Sequence, residues 1–279
     1  MSTETVSGGG AIRLFAIDVD GTLLDRSHQL RTDVKEAVGR LAAAGFEIAL
    51  ATARGPQAVA EIVQQFDFAP SLICFSGGWI GELDSSSLRP KNVRLDLRIP
   101  IEAARLVLAE ALNQGVEPNV LTPDSWRVRR LTEEIVEETR VVNLRPTISD
   151  DVLSDGIEPS KIMLISNLDA AGQVLPHIEK SIGSVCTVTF SKSNYLEVLP
   201  VGVNKAKALV ALSQSLDIDP SQVAAIGDGL NDLEMLSEAG LPIAMGNAVD
   251  VLKLKAKWIV STNDEGGVAE AARRLLGDK

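Results

Sequence analysis

Three short runs of almost entirely apolar residues constrain the fold of this chain more than any other feature. They occupy residues 13–19, 46–52 and 71–75. Apolar residues at helical spacing lie between the first two runs, with Thr32 as the expected N-cap and Gly45 as the expected stop, and Pro56 opens a helix before the third run. Strands that are apolar along their whole length are buried on both faces. The order therefore predicts an α/β fold, a parallel sheet with helices on both of its faces.

The pattern changes after Gly81 and returns after about residue 190. Between these points the predicted strands alternate polar and apolar residues and are interleaved with amphipathic helices. We therefore predict one discontinuous core, one inserted domain and one flexible terminus. They are a core of residues 11–81 and 191–279, an inserted α+β cap domain at 82–190, and a flexible N-terminus at 1–10. A domain inserted in this way is expected to lie over an active cleft as a lid.

Composition excludes several classes of partner. The 279 residues carry a formal net charge of −11, so the chain has no general attraction for nucleic acid or for an anionic membrane. No apolar run is long enough to span a bilayer, and residues 1–10 lack the features of a signal peptide. The two cysteines, Cys74 and Cys186, lie in apolar segments and are predicted to be buried free thiols. These features favour a cytoplasmic protein.

Polar side chains follow several of the predicted strands, where ligands bind in an open parallel sheet. They are Asp18, Asp20, Thr52, Arg54, Asp228, Asn231 and Asp232, with Lys205 opening the helix before the last of these strands. Each alone has an ordinary explanation, as a strand-end hydroxyl, a solvated lysine or a Gly/Asn/Asp turn. Asp18 and Asp20, however, lie on one face of an extended chain and repel each other unless a cation is near. A calcium loop is excluded because Gly21 directly follows Asp20 and a buried strand precedes the pair.

Taken together, these segments resemble the motifs of the haloacid dehalogenase superfamily. The matching strings are DVDGTLLD at 18–25, ATAR at 51–54, VGVNKAKAL at 201–209, GDGLND at 227–232 and AGLPIAMGNA at 239–248. With STNDEGGVAEA at 261–271, they are most similar to the Cof-type phosphatases. The resemblance covers residues 14–76 and 195–276, and the segment between is similar to a type-2 cap only in position and length. Two departures are Ala53, where the family has Gly, and Ser76-Gly77, where it has Asn-Gly.

The resemblance implies a Rossmann-like core that transfers phosphate through an aspartyl-phosphate. Asp18 would be the nucleophile, and Asp20 would act first as general acid and then as general base. The implied cofactor is Mg²⁺, held by the carboxylate of Asp18, the backbone carbonyl of Asp20 and Asp228, with Asp232 as outer support.

The same resemblance assigns the remaining site residues to the substrate. Thr52 and Lys205 would hold the oxygens of the transferred phosphate, with Lys205 also reducing repulsion between Asp18 and the anion. Arg54 and Asn231 would position the substrate. The outlying His28 and His177 are interpreted as surface or packing residues.

The expected function is a Mg²⁺-dependent phosphatase of small phosphomonoesters, such as sugar phosphates or related metabolites. A phosphosugar mutase with the same intermediate, or a non-catalytic sugar-phosphate sensor, remains open. A receiver domain is a further alternative, against which stand its length of only about 120 residues and its lack of an inserted cap. The expected partner is a small phosphorylated metabolite, without nucleic acid or membrane, and the oligomeric state and substrate are left open. In the predicted cap, Arg127, Arg129 and Arg130 form a cluster, either a solvated face or a reader of a second anionic group.

Overall fold

The structure is a computed structural model that describes residues 11–278, so the predicted flexible segment 1–10 lies outside the described residues. The strands are β1 (Leu14–Asp18), β2 (Glu47–Ala51), β3 (Ser71–Cys74), β4 (Trp79–Leu83), β5 (Pro90–Asp96), β6 (Pro118–Thr122), β7 (Ser125–Val128), β8 (Thr147–Ile148), β9 (Lys161–Ile165), β10 (Thr187–Lys192), β11 (Tyr195–Leu199), β12 (Val223–Gly227), β13 (Leu241–Ala244) and β14 (Trp258–Ile259). The helices are α1 (Thr32–Ala43), α2 (Pro56–Val63), α3 (Ile101–Asn113), α4 (Glu133–Val141), α5 (Leu168–Ile182), α6 (Lys205–Ser215), α7 (Leu233–Glu238), α8 (Asp250–Lys255) and α9 (Gly267–Leu276).

The chain divides into two compact units. The first comprises the chain up to Thr52, residues 64–73 and everything from Lys205 onward. Its strands are parallel and lie in the order β14-β13-β12-β1-β2-β3, with β1 between β12 and β2. All five residues of β1 are buried, as the continuous apolar run required. The predicted α/β fold with a parallel core sheet is confirmed.

Local sequence explains where the first helix begins and ends. The prediction of Thr32 as N-cap was wrong by one residue, because Arg31 takes the extended cap conformation and its side chain accepts no hydrogen bond from the helix. The nearby carboxylate of Asp33 instead accepts from the backbone N–H of Val34 at 3.0 Å. At the other end the chain turns through Gly45, whose φ of +91° suits a residue without a Cβ.

The second unit comprises residues 53–63 and 74–204. It contains the antiparallel hairpin β4-β5 and a second sheet in the order β10-β11-β9-β6-β7-β8, antiparallel except for the pair β7-β8. The limits predicted at residues 81/82 and 190/191 fall within β4 and β10. The compact units thus have other limits than the predicted domains, and the assignment of 82–190 as an inserted domain stays a prediction.

Alternation along the strands gives the second sheet two different faces. Val120, Ile162, Leu164 and other alternating residues pack with α3 and α5 in one apolar core. The intervening residues define what we call the second face. Its members used below are Asn119, Lys161, Met163, Tyr195 and Glu197, which lie in β6, β9 and β11. Several of these residues are polar although they are buried.

Two further sequence predictions concern membranes and thiols. Among residues 11–278 the longest apolar helix falls short of what a bilayer crossing requires. Cys74 and Cys186 are both free and buried, as predicted. Burial raises the pKa of both thiols, which keeps them in the neutral, unreactive form.

Candidate active site

Three carboxylates lie together where strands β1 and β12 end. Asp18 is the last residue of β1, Asp228 directly follows β12, and Asp232 ends the short turn that comes next. Each can offer one oxygen atom such that the three atoms lie within 4.8 Å of one another. Parallel pairing of β1 with β12 brings these residues together although more than 200 residues separate Asp18 from Asp228.

The ammonium group of Lys205 joins two of these carboxylates. Lys205 is the first residue of α6, and its Nζ donates to Oδ1 of Asp18 at 2.5 Å and to Oδ1 of Asp232 at 2.7 Å. Burial by itself would lower the pKa of Lys205, but the charges of Asp18 and Asp232 outweigh it and raise that pKa. Lys205 is therefore a buried, permanently charged lysine and not the solvated helix residue that its sequence context alone would allow.

Asp232 supports the turn that carries Asp228. While its Oδ1 binds Lys205, its Oδ2 accepts the backbone N–H groups of Asp228 and Gly229, each at 3.1 Å. A Cβ on Gly227 would come within 2.6 Å of the Asp232 side chain, so the backbone must pass close to this carboxylate. Because both oxygens of Asp232 already accept hydrogen bonds within the chain, it suits the part of outer support better than that of a direct ligand.

The carboxylates of Asp18 and Asp228 carry more negative charge than Lys205 alone can balance. Burial and then the charge of Asp232 raise the pKa of Asp18, and Lys205 only partly opposes this. Burial and then the charge of Asp232 also raise the pKa of Asp228 to about 6, against a hydrogen bond from Thr22 Oγ1 at 3.1 Å. An oxygen-only donor set with this excess of negative charge fits a hard divalent cation such as Mg²⁺. Such a cation would reverse both shifts.

Asp20 lies in the turn that follows β1, beside a glycine the site requires. This turn, Val19–Leu23, contains Gly21 at a φ of +83°. A Cβ built on Gly21 would lie 2.5 Å from Oδ2 of Asp228. The turn is thus pressed against Asp228, and only glycine combines this backbone conformation with this approach.

His28 lies at the surface, as predicted, and it also approaches Asp20. Its Nδ1 lies 3.5 Å from Oδ1 of Asp20, and both side chains are partly exposed. A narrow hairpin makes this contact, since Leu24 pairs with Leu30 and Oδ1 of Asp25 accepts the N–H groups of Ser27 and Gln29 at 2.8 and 3.0 Å. The signal in the sequence was the Asp-x-Ser turn at residues 25–27, which folds the chain back toward Asp20.

The other predicted substrate residues fall in different places. Thr52 directly follows β2, is buried, and donates its backbone N–H to the carbonyl of Ile73 at 2.8 Å. Asn231 is exposed on the turn between Asp228 and Asp232. Arg54 belongs to the second unit, where its Nη1 donates to the carbonyl of Ala58 at 3.4 Å.

Two asparagines that the sequence analysis did not single out support the turn after Asp20. Nδ2 of Asn247 donates to the carbonyl of Gly21 at 2.8 Å and approaches Oδ2 of Asp228 at 3.4 Å. Asn263 donates its backbone N–H to Oδ1 of Asn247 at 3.0 Å and its Nδ2 to the carbonyl of Leu24 at 2.9 Å. Both lie in strings quoted above, AGLPIAMGNA and STNDEGGVAEA, so these two strings contribute to the same site as the acidic motifs.

The three arginines of the predicted cap cluster have different partners. Arg127 donates from Nη1 to Oγ of Ser154 at 2.9 Å. The Nε of Arg130 pairs with Oε2 of the buried Glu117 at 3.0 Å, and the backbone N–H of Arg129 donates to the other oxygen of Glu117. Arg130 thus pairs with a buried carboxylate, and whether the cluster reads a second anionic group stays a prediction.

The chain is similar to known proteins over nearly its whole length. The sequence profile of the haloacid dehalogenase-like hydrolases matches residues 15–271. The HMP-PP phosphatase of Yersinia pestis is 30% identical over 268 residues, with 95% of each chain covered. The 5-amino-6-(5-phospho-D-ribitylamino)uracil phosphatase of Bacillus subtilis is 28% identical, covering 95% of this chain and 98% of that protein. A haloacid dehalogenase-like hydrolase from Bacteroides thetaiotaomicron superposes with a TM-score of 0.86 at 26% identity, covering 95% of this chain and 99% of that one.

Proposed function

Because this chain belongs to the haloacid dehalogenase-like hydrolases, among relatives that are phosphatases, we propose that it is a Mg²⁺-dependent phosphatase of small phosphomonoesters. One observation carries the proposal. Asp18 ends the central strand β1, and Lys205 binds its Oδ1 at 2.5 Å, which leaves Oδ2 outside that ion pair. A carboxylate held at one oxygen by a fixed cation is oriented for attack through the other.

The reaction begins with attack by Asp18 on phosphorus. Its carboxylate oxygen forms a bond to phosphorus as the bond to the leaving alcohol breaks, which gives an aspartyl-phosphate on Asp18. Thr52 and Lys205 are placed by the proposal on the phosphate oxygens, where a hydroxyl and an ammonium stabilise the developing charge. Mg²⁺, held by Asp18, Asp20 and Asp228, would neutralise charge between the carboxylates and the phosphate.

Asp20 acts as general acid in the first half of the reaction and as general base in the second. Its partly exposed carboxyl group protonates the leaving oxygen in the first step and deprotonates the attacking water in the second. Water then attacks phosphorus, the bond to Asp18 breaks, and inorganic phosphate leaves. The proximity of His28 gives Asp20 a polar neighbour outside the carboxylate cluster.

The names of two relatives support the proposed substrate class. The two relatives act, by their names, on HMP-PP and on a phosphoribitylamino uracil, which are small phosphorylated metabolites. We extend this class, with sugar phosphates included, to the present chain and assign selectivity among its members to the predicted cap at 82–190. We also place the enzyme in the cytoplasm, where two free buried thiols such as Cys74 and Cys186 are expected.

Phosphate release from p-nitrophenyl phosphate and from a panel of phosphorylated metabolites tests the proposal. The protein should release phosphate with Mg²⁺, lose activity in excess chelator and regain it when Mg²⁺ is restored. Asp18→Asn removes the attacking charge at nearly constant shape and should lower turnover by about 10³-fold or more. The exposed Asp150→Asn is the matched control and should keep wild-type turnover. Full activity in chelator would refute the metal assignment, and an active Asp18→Asn would refute the covalent step.

A further inference from the structure

A second buried lysine lies far from the carboxylate cluster in the sequence. Lys161 begins β9 on the second face, and its side chain is only 4% exposed. Its Nζ donates to the backbone carbonyl of Ala53 at 2.8 Å and lies 3.3 Å from Oε1 of Glu197. The carbonyl it binds belongs to the residue that directly follows Thr52.

Stability does not explain why this position carries a charge. A buried ion pair gains little over apolar side chains of similar volume, because both charges must leave water. Here the pair is also incompletely satisfied, since Oε2 of Glu197 is buried without a hydrogen-bond partner in the described part of the chain. An unsatisfied buried carboxylate oxygen adds a further cost. Stability therefore gives no reason for a charged pair here in place of apolar residues such as Met and Leu.

The role is suggested by how the chain from Thr52 to Arg54 is held. Thr52 is held by its N–H, which donates to the carbonyl of Ile73 at 2.8 Å. The carbonyl of Arg54 accepts from the N–H of Phe75 at 2.9 Å. Between them, the carbonyl of Ala53 accepts from Lys161, which follows it by 108 residues. The first two bonds come from the chain beside β2, whereas the third comes from the segment predicted as the cap.

We propose that Lys161 is a positioning residue for phosphate transfer, and this rests on the proposed function. By fixing the direction of the Ala53 carbonyl, it orients the peptide plane between Ala53 and Arg54 and so restrains the chain directly after Thr52. This holds Thr52 where its hydroxyl takes a phosphate oxygen. Glu197 supplies the counter-charge that makes a buried ammonium tolerable at this site.

The proposal has a consequence that separates it from a role in selectivity. Every substrate presents the same phosphate group to Thr52, whatever its leaving group. Loss of Lys161 should therefore slow all substrates by the same factor, including p-nitrophenyl phosphate. A residue that reads the leaving group would instead change the ratio between substrates.

The test compares the double variant Lys161→Met/Glu197→Gln with Glu197→Gln. The double variant removes both charges together, so no uncompensated charge is buried. Glu197→Gln is the matched control, because it keeps the donation from Lys161 to Ala53; it should lower the unfolding midpoint, since the ammonium loses its counter-charge, without changing catalysis by the folded protein. We measure kcat and KM for p-nitrophenyl phosphate and for the best metabolite of the panel, the binding of inorganic phosphate with Mg²⁺ by calorimetry, and thermal unfolding. Lys161→Arg, which keeps a charged donor, tests rescue.

The double variant should lose about tenfold or more in kcat on both substrates, the range expected for a lost hydrogen bond from a charged group. It should also bind inorganic phosphate about tenfold more weakly, while Glu197→Gln stays within about twofold of wild type and Lys161→Arg recovers part of the loss. A merely structural role would lower the unfolding midpoint but leave the phosphate affinity of the folded protein unchanged, and this outcome would overturn the proposal. Unequal losses on the two substrates would overturn it in favour of selectivity.

The phosphate-binding measurement keeps this proposal separate from the proposed function. If the wild-type protein binds phosphate with Mg²⁺ but turns over no substrate, the phosphatase proposal fails. The affinity ratio between the double variant and wild type still decides the role of Lys161. If wild type binds no inorganic phosphate at all, Thr52 is no phosphate residue and both proposals fall.

Discussion

Gly21→Ala probes the contact on which the metal site depends. A Cβ at this position would lie 2.5 Å from Oδ2 of Asp228 and 2.9 Å from its Cγ and Oδ1. Ordinary contacts begin at about 3.4 Å, so the carboxylate or the turn must move by about 1 Å. Displacing a reacting or ligating group by about 1 Å costs about 10²-fold in rate. We therefore expect kcat/KM to fall by about 10²-fold and Mg²⁺ to bind more weakly.

Two other glycines separate displacement from backbone strain. Gly21 has a φ of +83°, and an alanine held in that left-handed region costs about 1–2 kcal/mol. Gly45 has a φ of +91° with open space around its Cβ position, so Gly45→Ala carries the strain without the collision. Gly39 lies inside α1, again with open space, so Gly39→Ala carries neither and should stabilise the helix by up to about 1 kcal/mol.

The assay measures kcat/KM for p-nitrophenyl phosphate over a range of Mg²⁺ concentrations, together with thermal unfolding of all three variants. Gly21→Ala and Gly45→Ala should show similar losses in unfolding midpoint, whereas only Gly21→Ala should lose activity and metal affinity. If both variants kept wild-type kcat/KM and Mg²⁺ affinity, the close approach of the turn to Asp228 would not matter for function. If both lost activity equally, strain and not displacement would be the cause.

Three further predictions concern protons, the buried lysine and the leaving group. Because the pKa of Asp228 is raised to about 6, the metal-free protein should lose stability as pH rises through about 6. Below that pH Mg²⁺ must displace a proton, so calorimetry should show that its affinity falls about tenfold for each unit by which the pH is lowered and is constant above about pH 7. An affinity that does not change with pH would contradict this. Lys205→Met should lower the free energy of unfolding by about 3–5 kcal/mol in urea titrations, because Asp18 and Asp232 lose their shared cation. Lys255 is exposed, so Lys255→Met should change this free energy little. Equally small losses in both variants would contradict the buried pairing. Asp20→Asn should slow alkyl phosphates more than p-nitrophenyl phosphate, because the poorer leaving group needs a proton more; identical losses would remove Asp20 from the role of general acid.

Sequence reasoning reached the acidic residues because their spacing is set by strand ends. Asp18 and Asp228 come directly at or after apolar runs, and parallel strands place their carboxyl ends on one edge. The contact of His28 with Asp20 was missed because it depends on the register of a hairpin stabilised by Asp25, which single-residue properties do not reveal. Lys161 was missed for a similar reason, since its partner is a backbone carbonyl 108 residues away. Every residue has a backbone carbonyl, so residue type does not show which carbonyl accepts a hydrogen bond from a distant side chain.

The limits of helices and domains were harder still to predict. Helix α2, which Pro56 opens, ends at Val63 although apolar side chains continue into the loop before β3. The predicted domain limit after Gly81 was placed where the sequence becomes more polar. Strand β4, Trp79–Leu83, continues through this limit, because a strand of a hairpin can extend across such a change in polarity. Packing, which decides both limits, is not a local property.

The central position of β1 in its sheet also affects how the chain folds during synthesis. β1 forms its sheet between β2, which begins at Glu47, and β12, which begins at Val223. Between the synthesis of these partners about 175 residues must be added, which takes roughly 10–35 s at ordinary rates of translation. Throughout that interval one edge of β1, whose five residues are all buried in the folded protein, is unpaired and can act as a template for pairing with other chains. Nascent chains of this protein therefore need protection from aggregation until about the last fifth of the chain emerges, and a product truncated before Val223 would be prone to aggregate.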